Sequence, residues 1–261
     1  MAMECGRRLK WTIDASTYKP SEKSETKERL KRDPIQKGIL FESLLQFLAC
    51  GSDDFSGNNV GDWDARYDVI EEILQNLNQN PKPFSNAYAQ TLDFSKRATD
   101  NIVGYTFETA TIECVLEWVD FFIDHRLINE IKSGVWIAEK KSHGTIKTSL
   151  GEAEVNGRID LFCYTDDGDG YIFEIKATDR ESDSHFRQME MYRQMTLQND
   201  NFEVSNLNIN LIRGGTIIKG NLNFALDQLT YSESEIKQGN PAPIVCNDCR
   251  VMSCDAREFS H

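Results

Sequence analysis

Residues 157–177 read GRIDLFCYTDDGDGYIFEIKA and hold the side chains best suited to do chemistry. Successive side chains along a strand point to opposite faces. Glu174 and Lys176 therefore share one face, while Phe173 and Ile175 point into a core. Asp160 follows an apolar residue on the strand before, and residues opposite each other in a hairpin share a face. If Asp160 pairs with Glu174, Tyr164 pairs with Gly170, and Asp160, Glu174 and Lys176 come together; a slip of one residue would separate them. Two carboxylates of this kind can hold Mg²⁺ or Mn²⁺ through hard oxygens. Such an ion lowers the pKa of water and stabilises charge on a phosphate, and an adjacent ammonium can neutralise a developing oxyanion. The plainer reading of Asp…Glu-x-Lys alone is a surface Glu–Lys pair.

Two further groups of residues ask for an explanation. Gln188 and Tyr192 stand at i and i+4, on one face of a helix, where an amide and a phenol can meet phosphate, a base or the site itself. Seven cysteines occur: Cys5, Cys50, Cys114, Cys163, Cys246, Cys249 and Cys254. An odd number in a chain read as cytosolic does not suggest a disulfide framework. Cys246, Cys249 and Cys254 crowd into one short segment, and C-x-x-C with a third cysteine nearby is a metal signal. A zinc site completed by His261 or another cysteine is one reading, and a [4Fe–4S] cluster on four thiolates is the other. Cys50, Cys114 and Cys163 lie in apolar contexts and read as buried structural residues.

The order G-x-x-D, E-x-K, Q-x-x-x-Y, carried by Gly157, Asp160, Glu174, Lys176, Gln188 and Tyr192, resembles the RecB-like branch of the PD-(D/E)xK nucleases. The resemblance implies a restriction-endonuclease-like core, a mixed central sheet flanked by helices. It implies Asp160 and Glu174 as ligands of Mg²⁺ or Mn²⁺, the Ile175 backbone carbonyl as a further ligand, and Lys176 as catalytic. It implies that Gln188 and Tyr192 act near the DNA. The family's upstream G-x-x-x-H corresponds to Gly38–Glu42, with Glu42 at the histidine position; Gly104–Glu108 has the same spacing. Glu139 stands where the family often has a glutamate. At the N-terminus, Cys5-Gly6-Arg7-Arg8-Leu9-Lys10-Trp11 is similar to the C-x-R-x-L-x-W start of the CRISPR-associated exonuclease four family. That likeness implies a [4Fe–4S] cluster on Cys5, Cys246, Cys249 and Cys254, joining the two ends of the chain. It also implies an exonuclease acting on single-stranded DNA, in CRISPR spacer acquisition beside an integrase or in DNA repair.

These residues must be positioned by an α+β frame. Helical spacing marks 38–49, 67–77, one or two long helices within 93–126, 184–197 and 227–237. Strands are expected over 135–140, 144–150, 157–164, 171–177, 207–212 and 216–221, with TDDGDG (165–170) as a turn. The order of helices, strands, a helix and more strands makes one domain. A basic N-terminal segment covers 1–37, a helical elaboration 38–133, the catalytic core 134–226 and a cysteine-bearing C-terminal segment 227–261.

The 261 residues are 39% hydrophobic and 10% aromatic, enough for a sizeable core. No run of eighteen apolar residues occurs and the N-terminus lacks the apolar core of a signal peptide, so no membrane partner and a cytoplasmic location are expected. The net charge of −13 argues against a generic polyanion-binding surface. Cations for DNA must then be concentrated locally, as Arg7, Arg8, Lys10, Lys19, Lys23, Lys27, Arg29, Lys31, Arg32 and Lys37 are. Three rivals compete with the nuclease reading: a non-catalytic DNA-binding scaffold, a restriction-type endonuclease with structural zinc, and a small-molecule metallohydrolase.

Overall fold

A computed structural model describes residues 33–51, 63–79, 82–92, 94–148, 151–177, 183–200 and 202–220. Among the described residues six helices come first: α1 (Asp33–Cys50), α2 (Trp63–Gln79), α3 (Asn86–Thr91), α4 (Lys96–Ile102), α5 (Thr109–Asp124) and α6 (Arg126–Ile131). Then follow β1 (Val135–Thr148), β2 (Gly151–Tyr164), β3 (Gly170–Lys176), α7 (Asp183–Asn199), β4 (Leu207–Arg213) and β5 (Thr216–Lys219). The five strands form one sheet in the order β1-β2-β3-β4-β5, antiparallel except where β3 and β4 run parallel across the α7 crossover. The chain is thus α+β, a mixed sheet flanked by helices. The expected helix at 227–237, most of the basic segment and the C-terminal cysteines lie outside the described residues.

Both faces of the sheet are covered. Leu161, Cys163, Phe173 and Ile175 face a core shared with α1, α2 and α5, where Phe41, Trp63, Phe122 and Trp136 are buried. Ile159, Phe162, Ile172, Ile209 and Leu211 face a second core against Phe186, Met189, Tyr192 and Met195 of α7. The strand alternation that sets Phe173 and Ile175 inward therefore does not leave Glu174 on an open face; it lies fully buried on the α7 side.

Where strands 135–140, 144–150 and 157–164 were expected, the structure has two 14-residue strands in one long hairpin. The glycines that suggested breaks serve helix docking instead. A Cβ on Gly144 would meet Gln198 Oε1 at 2.6 Å and Met195 Cγ at 3.0 Å. Gln198 also gives the β1 edge a hydrogen-bonding partner: Thr145 N–H donates to its Oε1, and its Nε2 donates to the Thr145 carbonyl, both at 2.8 Å. The long helical stretch expected over 93–126 is divided. Gly104, at φ 80°, ends α4, and its N–H donates to Phe84 O while Phe84 N–H donates to Tyr105 O, both at 3.0 Å. The unforeseen α3 is capped by Ser85, whose hydroxyl accepts from Tyr88 N–H.

Candidate active site

The β2–β3 register is the one that gathers Asp160, Glu174 and Lys176. Tyr164 pairs with Gly170 and Leu161 with Phe173, so Asp160 and Glu174 are the next rung. There the backbone ladder stops, and Asp160 Oδ2 accepts the Ile175 N–H at 2.7 Å. A side chain thus satisfies a donor that the neighbouring strand leaves open. On its other side Ile175 stays in the parallel ladder, paired with Ile212. Lys176 Nζ contacts Glu174 Oε1.

Glu42 joins this group from α1. Gly38 lets the helix approach the end of β3: a Cβ there would sit 3.2 Å from Ala177 Cβ. One turn later Glu42 feels the charges of Asp160, Lys176 and Arg158, and Gln46 Nε2 donates to its Oε1 at 3.1 Å. Glu108, the other candidate for the family's histidine position, is exposed at the N-terminus of α5 and makes no capping hydrogen bond. The fold brings Glu42, not Glu108, to the carboxylates.

Three carboxylates and one ammonium in a partly desolvated place are unbalanced. Burial, and then the charge of Asp160, push Glu174 up to about 8. The same two causes push Glu42 up to about 7. Burial also raises Asp160, against the opposing pull of Lys176 and the Ile175 N–H. Burial alone would lower Lys176, but Glu174, Asp160 and Glu42 together hold it above its ordinary value, so it remains a cation at neutral pH.

Glu174 Oε2 is buried without a hydrogen-bond donor among the described residues. Such an atom in a cluster of carboxylates fits either a shared proton or a hard cation. No three His, Cys, Asp or Glu side chains among the described residues stand as a ready-made metal cage. Mg²⁺ does not require one, since it is held by one or two carboxylates and keeps several waters. The donor set of Glu42, Asp160, Glu174 and the Ile175 carbonyl is all oxygen and fits Mg²⁺ or Mn²⁺ rather than a soft metal.

Gln188 and Tyr192 meet as their spacing requires: Gln188 Nε2 donates to Tyr192 Oη at 2.8 Å. The Arg158 N–H also bonds that oxygen, and burial and the nearby Glu174 push the phenol up to about 12. Gly157 makes this docking feasible, because a Cβ there would stand 2.4 Å from Tyr192 Cε1. Tyr192 is buried and Gln188 half-buried, so only Gln188 keeps surface open to solvent.

Sequence reasoning missed an ion cluster beside the site. Arg97 of α4 and Arg158 of β2 both approach Glu139 Oε2, the latter at 2.6 Å. The β1–β2 ladder pairs Ala138 with Leu161 and Lys140 with Ile159 but skips the rung between, Glu139 opposite Asp160. Glu139 there has φ 46°, the one positive φ outside glycine among the described residues. The available signal was Arg158 itself, two residues before Asp160 on β2.

Cys5, Cys246, Cys249 and Cys254 lie outside the described residues. Of the other three cysteines, Cys50 and Cys163 are buried, as expected, with thiols pushed up to about 12 by burial. Cys114 is only half-buried. No described helix is long and apolar enough to cross a membrane.

No family model and no curated protein matches the chain. A solved structure titled "Crystal structure of SSO0001" aligns at 14% identity and a TM-score of 0.35, over 73% of this chain and 93% of that one. That likeness is too slight to bear on fold or function.

Proposed function

We propose that this chain is a metal-dependent DNA nuclease of the PD-(D/E)xK type, acting on single-stranded DNA from an end. The observation that carries the reading is the meeting of Glu42, Asp160, Glu174 and Lys176, with Glu174 Oε2 buried and lacking a donor. Asp160, Glu174, Glu42 and the Ile175 carbonyl would hold Mg²⁺ or Mn²⁺. When bound, the ion supplies a Lewis acid for the phosphate oxygens and eases the deprotonation of water.

The chain's own residues divide the remaining work. Loading requires Glu42 and Glu174 to give up protons that burial and the charge of Asp160 favour. Lys176, kept cationic by its neighbours, is suited to offset charge gathering on the phosphate and unsuited to accept a proton. Asp160 serves the site twice, as an oxygen donor and as the acceptor that fixes the Ile175 peptide. Tyr192 holds α7 against β2 with its oxygen already engaged, which leaves Gln188 as the member of that pair to face DNA.

By the same resemblance, Cys5, Cys246, Cys249 and Cys254 would bind a [4Fe–4S] cluster, a soft thiolate set distinct from the oxygen site. The proposed setting is cytoplasmic, in CRISPR spacer acquisition beside an integrase or in DNA repair. The test is incubation of the full chain, purified anaerobically, with end-labelled single-stranded and duplex DNA in Mn²⁺. The reading expects shortening of the single strand, with the label's position giving the polarity. Binding of DNA without cleavage in Mn²⁺ or Mg²⁺ would instead mark a non-catalytic scaffold.

A further inference from the structure

The rim of the carboxylate site carries a second group of charges. Arg158 precedes Asp160 by two residues on β2, close to the rung where the β1–β2 ladder is interrupted. Its guanidinium is 60% exposed, while the Glu139 side chain it meets is only 8% exposed. Arg97 reaches the same carboxylate from α4, with its own side chain 34% exposed. Both cations converge on Glu139 Oε2, yet that oxygen receives no well-aligned hydrogen bond. A guanidinium carries five N–H donors, and the exposed Arg158 presents part of that set to solvent while one nitrogen meets Glu139.

Arg158 also acts on both Glu42 and Asp160 through its charge, so it lies within electrostatic reach of the oxygen cluster. The backbone at Glu139 is held in the left-handed region to permit this gathering, a conformation that costs about 1–3 kcal/mol in a residue other than glycine. The strand gains no pairing from such a position, since the ladder skips that rung. It does gain a guanidinium group, that of Arg158, within reach of Glu42 and Asp160, carboxylates that would otherwise repel an anionic polymer.

We propose that Arg158 and Arg97, gathered by Glu139, form a fork that grips a backbone phosphate of a DNA strand next to the bond to be cut. The proposal rests on the nuclease reading above. Planar guanidinium groups suit a phosphate because they donate two parallel hydrogen bonds, which a lysine cannot. Glu139 holds the pair in place and keeps their mutual repulsion in check until the phosphate arrives. The grip is a contact to the backbone and carries no base specificity.

The test is fluorescence anisotropy of a labelled single-stranded oligonucleotide in Mg²⁺ over a range of salt. The protein is the full chain carrying Lys176→Ala, with Arg158→Ala, Arg158→Lys or Arg97→Ala added. Arg158→Ala should weaken binding about 10-fold and reduce the slope of log affinity against log salt by about 0.7, the share of one phosphate contact on a single strand. Arg158→Lys should keep the slope but not the full affinity. Should Arg158→Ala fail to fold, that lysine comparison still decides the matter. A weakened affinity with the slope unchanged would mark an effect exerted only on the carboxylates' charge and would overturn the fork. Unchanged affinity and slope in Arg158→Ala overturn the fork while leaving the nuclease reading intact. Absence of DNA binding by the unsubstituted chain overturns both.

Discussion

Glu174 illustrates how one carboxylate's surroundings make its chemistry depend on pH. Its proton is held up to about 8, chiefly by burial and then by Asp160, with Lys176 opposing and Glu42 adding to the rise. A carboxylate that binds its proton more tightly folded than unfolded makes the metal-free protein lose stability as pH rises between the two pKa values. Glu174→Gln removes that penalty. Its melting temperature should equal the parent's near pH 4 and below, where Glu174 is protonated both folded and unfolded, and exceed it by several degrees near pH 8. Melting curves across this range check the sign; a variant less stable than the parent at pH 8 would contradict it. Metal acts in the opposite sense, because it needs the ionised forms. The rise in melting temperature produced by Mn²⁺ should grow as pH passes through about 7 and 8, where Glu42 and Glu174 release their protons.

At the scale of elements, two close approaches hold the site together. α7 lies on β2 through Tyr192 over Gly157, and α1 lies on the end of β3 through Gly38. Gly157→Ala would force a methyl group to within 2.4 Å of the Tyr192 ring, where it cannot be accommodated without displacement. Overpacking of this kind costs about 1–3 kcal/mol, and urea unfolding should show a loss of that order. Tyr192→Phe keeps the ring and should lose about 1 kcal/mol, the worth of its hydrogen bonds. The same elements show what sequence could disclose. The hairpin register was legible because one rung, Asp160 with Glu174, fixes all the others. The lengths of β1 and β2 were not, because Gly144 and Gly157 signal breaks locally and helix docking only in three dimensions. Burial of Glu174 was equally hidden, since alternation tells which residues share a face and not whether a helix covers it.

Across the whole molecule, a net charge of −13 must coexist with the proposed binding of a polyanion. On the proposed reading local cations resolve the conflict: Lys176 within the site, and Arg158 with Arg97 at its rim. None of these three belongs to the basic N-terminal run that composition first suggested; Arg158 beside Asp160 was the one signal, and its meeting with Glu139 and Arg97 appears only in three dimensions. The proposed iron–sulfur cluster acts on the same scale, since ligands at Cys5 and Cys254 would close nearly the whole chain into a loop and constrain the unfolded state. Elemental analysis of anaerobically purified protein should find iron and little zinc, with Cys246→Ser losing the iron and the brown colour. Zinc in place of iron would favour a structural zinc site and leave the oxygen cluster's role untouched.

The most direct test of the central claim is the cleavage rate of an end-labelled single strand in Mn²⁺ by the parent, Asp160→Ala and Lys176→Ala. Melting curves taken alongside establish that each variant is folded. If the carboxylate–lysine group performs phosphodiester hydrolysis, the parent shortens the strand and each variant is slower by about 100-fold or more. Cleavage by either variant at the parent's rate would contradict it.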